Sequence, residues 1–431
     1  MERTVHGSER LEATVIPPGD KSISHRAALL NAISDGQARV ANFCVGDDRT
    51  SMLGCLRGLG VEISESVEEG IETFTIRGRG LDGLTEPSDY LYSGNSGTTM
   101  RLVSGLLAAQ SFFSVITGDS SLRGRPMKRI LTPLSMMGAQ VMGRGGGSLA
   151  PLAFDGGDLH GIEYEMPVAS AQLKSCILIA GLFAEGETSV IQPAESRDHT
   201  ERMMASMGAD VEQEGMRLTV RPPSRLASLD IQVPCDISGA AFWLVAGAAH
   251  PNARITVQGV GINPSRTGVL DVLREMGANI RMENVQEEGN EPSADLVVES
   301  SDLRGVEISG DIIPRVIDEL PVLAVAASQA TGQTIIRDAA ELRVKESDRI
   351  SATAVGLNAL GAKIREIEDG MMIEGGSKLA GAEVESHGDH RIAMSMAVAG
   401  LIADGATTIG ESEAADVSYP TFWGELDDAR T

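Results

Sequence analysis

Lys21, Ser22, His25 and Arg26 crowd into the segment Gly19-Asp-Lys-Ser-Ile-Ser-His-Arg26, directly ahead of an apolar run. Comparable groups recur at Ser93-Gly-Asn-Ser-Gly-Thr-Thr-Met-Arg101, Ser170-Ala-Gln-Leu-Lys174, Asp318-Glu319 and His387-Gly-Asp-His-Arg391. Three more stand at Arg125-Pro126, Arg197-Asp-His199 and Lys345-Glu-Ser-Asp-Arg349. Each lies where an apolar or glycine-ended helix is expected to begin. A helix N-terminus carries partial positive charge and favours Asp or Glu, so repeated cations there cost stability unless an anion sits among them. Free N–H groups, hydroxyls and guanidinium forks together make anion pockets. Asp318 and Glu346, set among such cations, are candidates for proton transfer. A carboxylate held among cations suits a base, and bound anions restore acid character. The residues alone thus point to transfer chemistry on anionic small molecules.

Two repeating elements must position these groups. A helix-ending pattern, apolar residue then glycine, closes at Gly60, Gly138, Gly208, Gly277 and Gly361, spaced by 78, 70, 69 and 84 residues. Each glycine suits a left-handed cap, and a short alternating strand follows it. Out of phase runs a second element, a helix rich in small residues and leucine. It is expected at 22–33, 97–109, 170–184, 238–249, 318–330 and 390–403, mostly ending in turns such as Ser34-Asp-Gly36 and Ala403-Asp-Gly405. Six units of about 72 residues fill the chain, the last cut short after Trp423. That period is too long for common solenoids, and each unit holds enough for a βαβ-type module, so two sets of three modules are expected.

Composition narrows the function. The 431 residues carry a formal charge of −25, with 42% hydrophobic and 23% charged residues, the balance of a globular protein with two or three domains. Net repulsion from a phosphate backbone argues against nucleic-acid binding. Cys44, Cys55, Cys176 and Cys235 have no C-x-x-C spacing and read as thiols of a reducing compartment. No apolar run is long enough for a membrane span and the N-terminus does not resemble a signal peptide, so a soluble, cytoplasmic protein is expected.

Three motifs point to other chemistries and fail on detail. Lys21-Ser22 resembles the end of a P-loop, but Asp20 replaces the required glycine. Gly143-Arg-Gly-Gly-Gly147 follows a strand without opening a helix and reads as a hairpin turn. His387-Gly-Asp-His390 lacks zinc spacing; a capping Asp389 with solvent-exposed histidines is expected instead.

The cation-bearing segments resemble the 5-enolpyruvylshikimate-3-phosphate synthases of the enolpyruvyl transferase family. The resemblance rests on Lys21-Ser-Ile-Ser-His-Arg26, Gly94-Asn-Ser-Gly-Thr-Thr-Met-Arg101, Gly118-Asp-Ser-Ser-Leu-Arg-Gly-Arg-Pro-Met127, Ser170-Ala-Gln172, Leu342-Arg-Val-Lys-Glu-Ser-Asp-Arg349 and Asp389-His-Arg-Ile-Ala393, which span nearly the whole chain in family order. It implies an α/β fold of two inside-out α/β barrel domains, each of three βαβαββ repeats, with the active site in the interdomain cleft. One domain would comprise residues 1–20 plus 235–431, the other 21–234. The implied activity transfers the enolpyruvyl group of phosphoenolpyruvate to the 5-hydroxyl of 3-phosphoshikimate by addition and elimination, in the shikimate pathway to chorismate and the aromatic amino acids.

The resemblance also implies roles. Lys21, Ser22, Arg26, Ser170, Gln172, Arg197, Asp318 and Lys345 would meet 3-phosphoshikimate. Lys21, the Gly97 backbone, Arg125, Gln172, Arg349 and Arg391 would meet phosphoenolpyruvate, where glyphosate competes in the family. Asp318 would be the base at the 5-hydroxyl; Glu346, assisted by Lys21, would manage the proton at the methylene carbon. No metal or cofactor and no covalent nucleophile are implied, and such proteins are commonly monomers. Leu102 departs from the proline found in many members, and Ala171 and Val417 from a serine and a C-terminal lysine found in some. The sister transferase acting on UDP-N-acetylglucosamine is disfavoured, because the loop Gly118–Arg125 lacks its cysteine. A non-catalytic scaffold or anion-binding protein is disfavoured because Asp318 and Glu346 are both retained.

Overall fold

All five glycines expected to close a helix adopt left-handed backbone: φ is +85° at Gly60, +102° at Gly138, +88° at Gly208, +97° at Gly277 and +97° at Gly361. An L side chain at such a φ is strained, which is why the pattern was readable. The computed structural model describes residues 1–68, 70–286 and 291–430. The chain divides into two compact units, Gly19–Val233 and Met1–Pro18 with Pro234–Thr431.

Each unit has its own apolar core and is built alike. In the unit Gly19–Val233, the helices Lys21–Ala32, Gly97–Leu107 and Ala171–Gly181 are buried almost all round. In the other unit the corresponding helices are Ile237–Ala249, Leu320–Gln329 and His390–Ile402, which pack on one another. Helices apolar on every face belong inside a core, so the sheets lie outside them. Small residues set how closely these helices approach: a Cβ on Gly105 would stand 2.4 Å from the Cys176 carbonyl oxygen of the neighbouring helix. The remaining long helices, among them Asp47–Gly58, His199–Ser206, Gly268–Glu275 and Arg349–Ala359, bury one face and expose the other.

The strands described form six sheets, five of four strands and one of three. The sheet Leu91–Tyr92, Phe113–Thr117, Leu149–Asp155, Gln140–Gly143 shows the plan. A short lead strand runs parallel to the strand that follows the buried helix, and that strand pairs antiparallel with one arm of a hairpin. This is the βαβαββ unit, and each compact unit holds three such sheets, one of the six lacking a hairpin of its own. The Gly143–Gly147 segment makes the hairpin turn, with Gly145, Gly146 and Gly147 all at positive φ and Gly143 opposite Leu152.

Two units take their lead strand from far away in sequence. Ile231–Gln232 runs parallel to Gln37–Ala41, and Leu11–Val15 runs parallel to Ala253–Gly261. The sixth unit is cut short as expected, its sheet having three strands where the others have four. Its hairpin is replaced by the N-terminal strand Glu2–His6, which pairs antiparallel with Ala406–Gly410, Thr4 opposite Thr408. The chain also continues past Trp423 in the helix Phe422–Asp428, whose Phe422 and Leu426 are buried. The four cysteines are free and buried.

Candidate active site

None of the six buried helices has an acidic residue in its first turn. Five of the N-termini are instead capped by the side chain one residue earlier, the exception being Leu320–Gln329. Asp20, Ser96 and Ser170 accept from the N–H groups of Ile23, Thr99 and Leu173 in one unit. Asp236 and Asp389 accept from Ser238 and Arg391 in the other. Capping by a short side chain satisfies one donor and leaves room for cations on the first turn.

In the unit Gly19–Val233 these cations are knitted into one cluster. Lys21 Nζ lies 2.9 Å from Asp48 Oδ2. Burial would raise the Asp48 carboxyl, but Lys21, His25 and a hydrogen bond from Ser96 outweigh it and hold the group at about 2. His25 donates from Nδ1 to the Lys21 carbonyl, 2.7 Å away, and its burial lowers it to about 4, so the ring is neutral near pH 7. Arg101 donates to Gln172 Oε1, and Gln172 Nε2 donates to Thr98 Oγ1 at 2.9 Å, joining two helix starts. Arg125 donates to the Asn95 side chain, itself held on Asp119 at 2.7 Å. Gly97 leaves the space these groups need: a Cβ there would meet Arg101 Nη1 at 3.1 Å and Arg125 Nη1 at 3.7 Å. Arg197 Nη1 donates to Ser22 Oγ at 3.1 Å. Beneath them Arg26, only 2% exposed, donates to Thr200 Oγ1 (2.7 Å), Ser175 Oγ (2.8 Å) and the Ser22 carbonyl (3.0 Å).

The other unit gathers its acids on one guanidinium. Arg349, the first residue of its helix and 1% exposed, donates from Nε to Asp389 Oδ2 (2.8 Å), from Nη1 to Asp318 Oδ1 (3.3 Å) and from Nη2 to Glu346 Oε2 (2.6 Å). Although burial opposes its charge, those three carboxylates raise Arg349 further, so it is a permanent cation. Lys345 Nζ lies 3.8 Å from Asp318 and 3.7 Å from Glu341. Arg391 Nη1 donates to the Asp318 carbonyl at 2.9 Å and reaches Glu319 Oε1 at 3.4 Å. Glu319 in turn accepts from Ser238, so the starts of all three buried helices are linked. Asp318 stands two residues before the helix Leu320–Gln329 rather than on it. His390 is buried, not solvent-exposed as expected; its burial and the nearby Arg391 lower it to about 4.

Comparison with known proteins decides the family. The family model described as EPSP synthase (3-phosphoshikimate 1-carboxyvinyltransferase) matches residues 5–426. A 3-phosphoshikimate 1-carboxyvinyltransferase of Herpetosiphon aurantiacus is 52% identical over 426 residues, covering 98% of each chain. One from Bacillus cereus is 51% identical, covering 99% of this chain and 98% of its own. The chain belongs to the EPSP synthase family. Among solved structures, the EPSP synthase from Acinetobacter baumannii superposes with a TM-score of 0.89 at 46% identity, covering 100% of this chain and 98% of its own. The enolpyruvyl transferase NikO from Streptomyces tendae, 18% identical with a TM-score of 0.78, shares the fold.

For this EPSP synthase family member, the structure brings Lys21, Ser22, Arg26, Gly97, Arg125, Ser170, Gln172 and Arg197 to the helix starts of one unit. Asp318, Lys345, Glu346, Arg349 and Arg391 gather in the other. Sequence reasoning gave no role to Asp48, the partner of Lys21. Asp47-Asp48 opens a helix, where acids are ordinary, so nothing marked it as part of the cluster. Glu319 was noted only as a helix start, and its burial at 1% exposure became visible only in three dimensions.

Proposed function

We propose that this member of the EPSP synthase family transfers the enolpyruvyl group of phosphoenolpyruvate to the 5-hydroxyl of 3-phosphoshikimate, with proton transfer divided between Asp318 and Glu346. What carries the assignment of roles is that both acids hydrogen-bond to the one buried guanidinium of Arg349. As an enzyme of the shikimate pathway it acts on small molecules. In the addition step, Asp318 takes the proton of the 5-hydroxyl as its oxygen bonds to C2 of phosphoenolpyruvate. Glu346, assisted by Lys21, delivers a proton to the methylene carbon, which becomes a methyl group. The tetrahedral adduct still carries both phosphates. In the elimination step Glu346 recovers a proton from that methyl group, the C–O bond to phosphate breaks, the departing phosphate oxygen takes the proton that Asp318 had accepted, and the enol ether forms with release of inorganic phosphate.

The remaining residues bind and orient. Ser22, Ser170, Gln172, Arg197 and Lys345 hold 3-phosphoshikimate, with Arg26 supporting Ser22 and Thr200 from below. Lys21, the Gly97 backbone, Arg125, Gln172, Arg349 and Arg391 hold phosphoenolpyruvate, two anionic ends against permanent cations. None of these steps calls for a metal or cofactor. The protein works as a cytoplasmic monomer; in the described residues no helix is long and apolar enough to cross a membrane. Phosphate release tests the reading. Release is expected only when 3-phosphoshikimate and phosphoenolpyruvate are supplied together; release with UDP-N-acetylglucosamine as acceptor would transfer the assignment to the sister reaction.

A further inference from the structure

We propose that Lys174 is a positioning residue for 3-phosphoshikimate: its buried ammonium fixes the turn that aims Arg197 at Ser22. The inference rests on the assignment of Ser22, Gln172 and Arg197 to that substrate.

Lys174 sits among Leu173, Cys176, Ile177, Leu178 and Ile179 on a buried helix, two residues after Gln172, and its side chain is fully buried. Such a lysine is a poor choice for stability, since a buried ion pair is often no better than an apolar pair of the same volume. All three of its donors are nevertheless directed at one neighbourhood. Nζ lies 2.6 Å from Glu201 Oε1, 3.1 Å from the Ser196 carbonyl and 3.4 Å from Gln192 Oε1. Ser196 Oγ closes the ring by donating to Gln192 Oε1 at 3.0 Å. The ammonium therefore joins three elements: the helix that presents Gln172, the turn after the strand Thr188–Ile191, and the helix His199–Ser206 that carries Glu201.

The residue after the clamped Ser196 carbonyl is Arg197, whose guanidinium donates to Ser22 Oγ at 3.1 Å. Fixing that carbonyl fixes where the Arg197 side chain departs. Among the described residues Glu201 Oε2 is buried with no hydrogen-bond partner, so of these Lys174 alone compensates this carboxylate. An apolar replacement could fill the volume but could not hold the Ser196 carbonyl.

A double-mutant cycle on the full chain separates positioning from support of the fold. Lys174→Met is expected to weaken 3-phosphoshikimate binding, read by calorimetry, roughly ten-fold, leaving the KM for phosphoenolpyruvate within about two-fold. It also strands the Glu201 charge, so Lys174→Met/Glu201→Leu, which removes that charge, is expected to recover thermal stability but not affinity. In an Arg197→Ala background, Lys174→Met is expected to cost less than about two-fold more, because its effect runs through Arg197. The proposal is overturned if Lys174→Met binds normally, if the Glu201→Leu double variant recovers both stability and affinity, or if the loss persists in full without Arg197. Failure of the underlying assignment shows separately: the unaltered chain would not bind 3-phosphoshikimate, or Arg197→Ala alone would bind it as well.

Discussion

Arg349 divides one guanidinium among Asp318, Glu346 and Asp389, and this division orders the chemistry of the acids around it. Asp389 is tied down from several sides, capping its helix and accepting from Ser347 as well, so it serves as structure. Glu346 hangs from the guanidinium by Oε2 and is 30% exposed, and we propose that it exchanges a proton with the ligand. Glu346→Gln keeps the shape and a hydrogen-bond acceptor but removes the exchangeable carboxylate. Turnover is expected to fall by about 10²–10⁴-fold while both substrates still bind, checked by phosphate release beside calorimetric titration. Turnover equal to the parent would remove Glu346 from its role. At this scale the sequence was legible wherever a residue broke a local rule. Cations at helix starts, such as Lys21, Arg349 and Arg391, stood out for that reason. Asp48 obeys the rule for helix starts and His390 looks like any loop histidine, so the partner of the first and the burial of the second required the fold.

At the scale of the element, glycine shows how much of the helix pattern is backbone conformation. Gly208 follows its helix at φ +88°, and a Cβ there would meet nothing within 4 Å. Gly54 lies exposed inside the helix Asp47–Gly58 and likewise has open space, but with ordinary helical backbone. The same substitution should therefore act in opposite directions. Gly208→Ala is expected to destabilise by about 1–2 kcal/mol through left-handed strain. Gly54→Ala is expected to stabilise by roughly 0.5–1 kcal/mol through the loss of unfolded-state freedom. Denaturant midpoints of the two variants check this, and a change of the same sign in both would show that the cap assignment does not govern Gly208. The repeat was readable because caps and turns are local. Pairing was not: the parallel partner of Gln37–Ala41 is Ile231–Gln232, and the sixth sheet is finished by the N-terminal strand. Neither pairing leaves a mark within its own stretch of sequence.

For the molecule as a whole, two of the buried histidines, His25 and His390, set how stability depends on pH. His25 belongs to one unit and His390 to the other, and each falls from an ordinary 6.5 to about 4 because burial disfavours the charged ring. Unfolding releases both rings to water, where they bind protons below pH 6.5. The unfolded chain thus holds up to two more protons than the folded one between about pH 4 and 6.5, and stability rises with pH across that window. Their contribution is complete above pH 6.5, is lost as pH falls towards 4, and levels off below. Asp48 acts in a lower window: its folded value of about 2 lies under the ordinary 3.8, so what it adds is present above pH 3.8 and disappears as pH falls through 2. Urea midpoints followed by far-UV circular dichroism are therefore expected to drop between pH 7 and 4.5, before Asp48 is protonated. His25→Asn and His390→Asn should each flatten that slope, since each removes one proton from the difference. A slope that survives both substitutions would mean that other groups govern acid sensitivity and that these rings do not charge on unfolding.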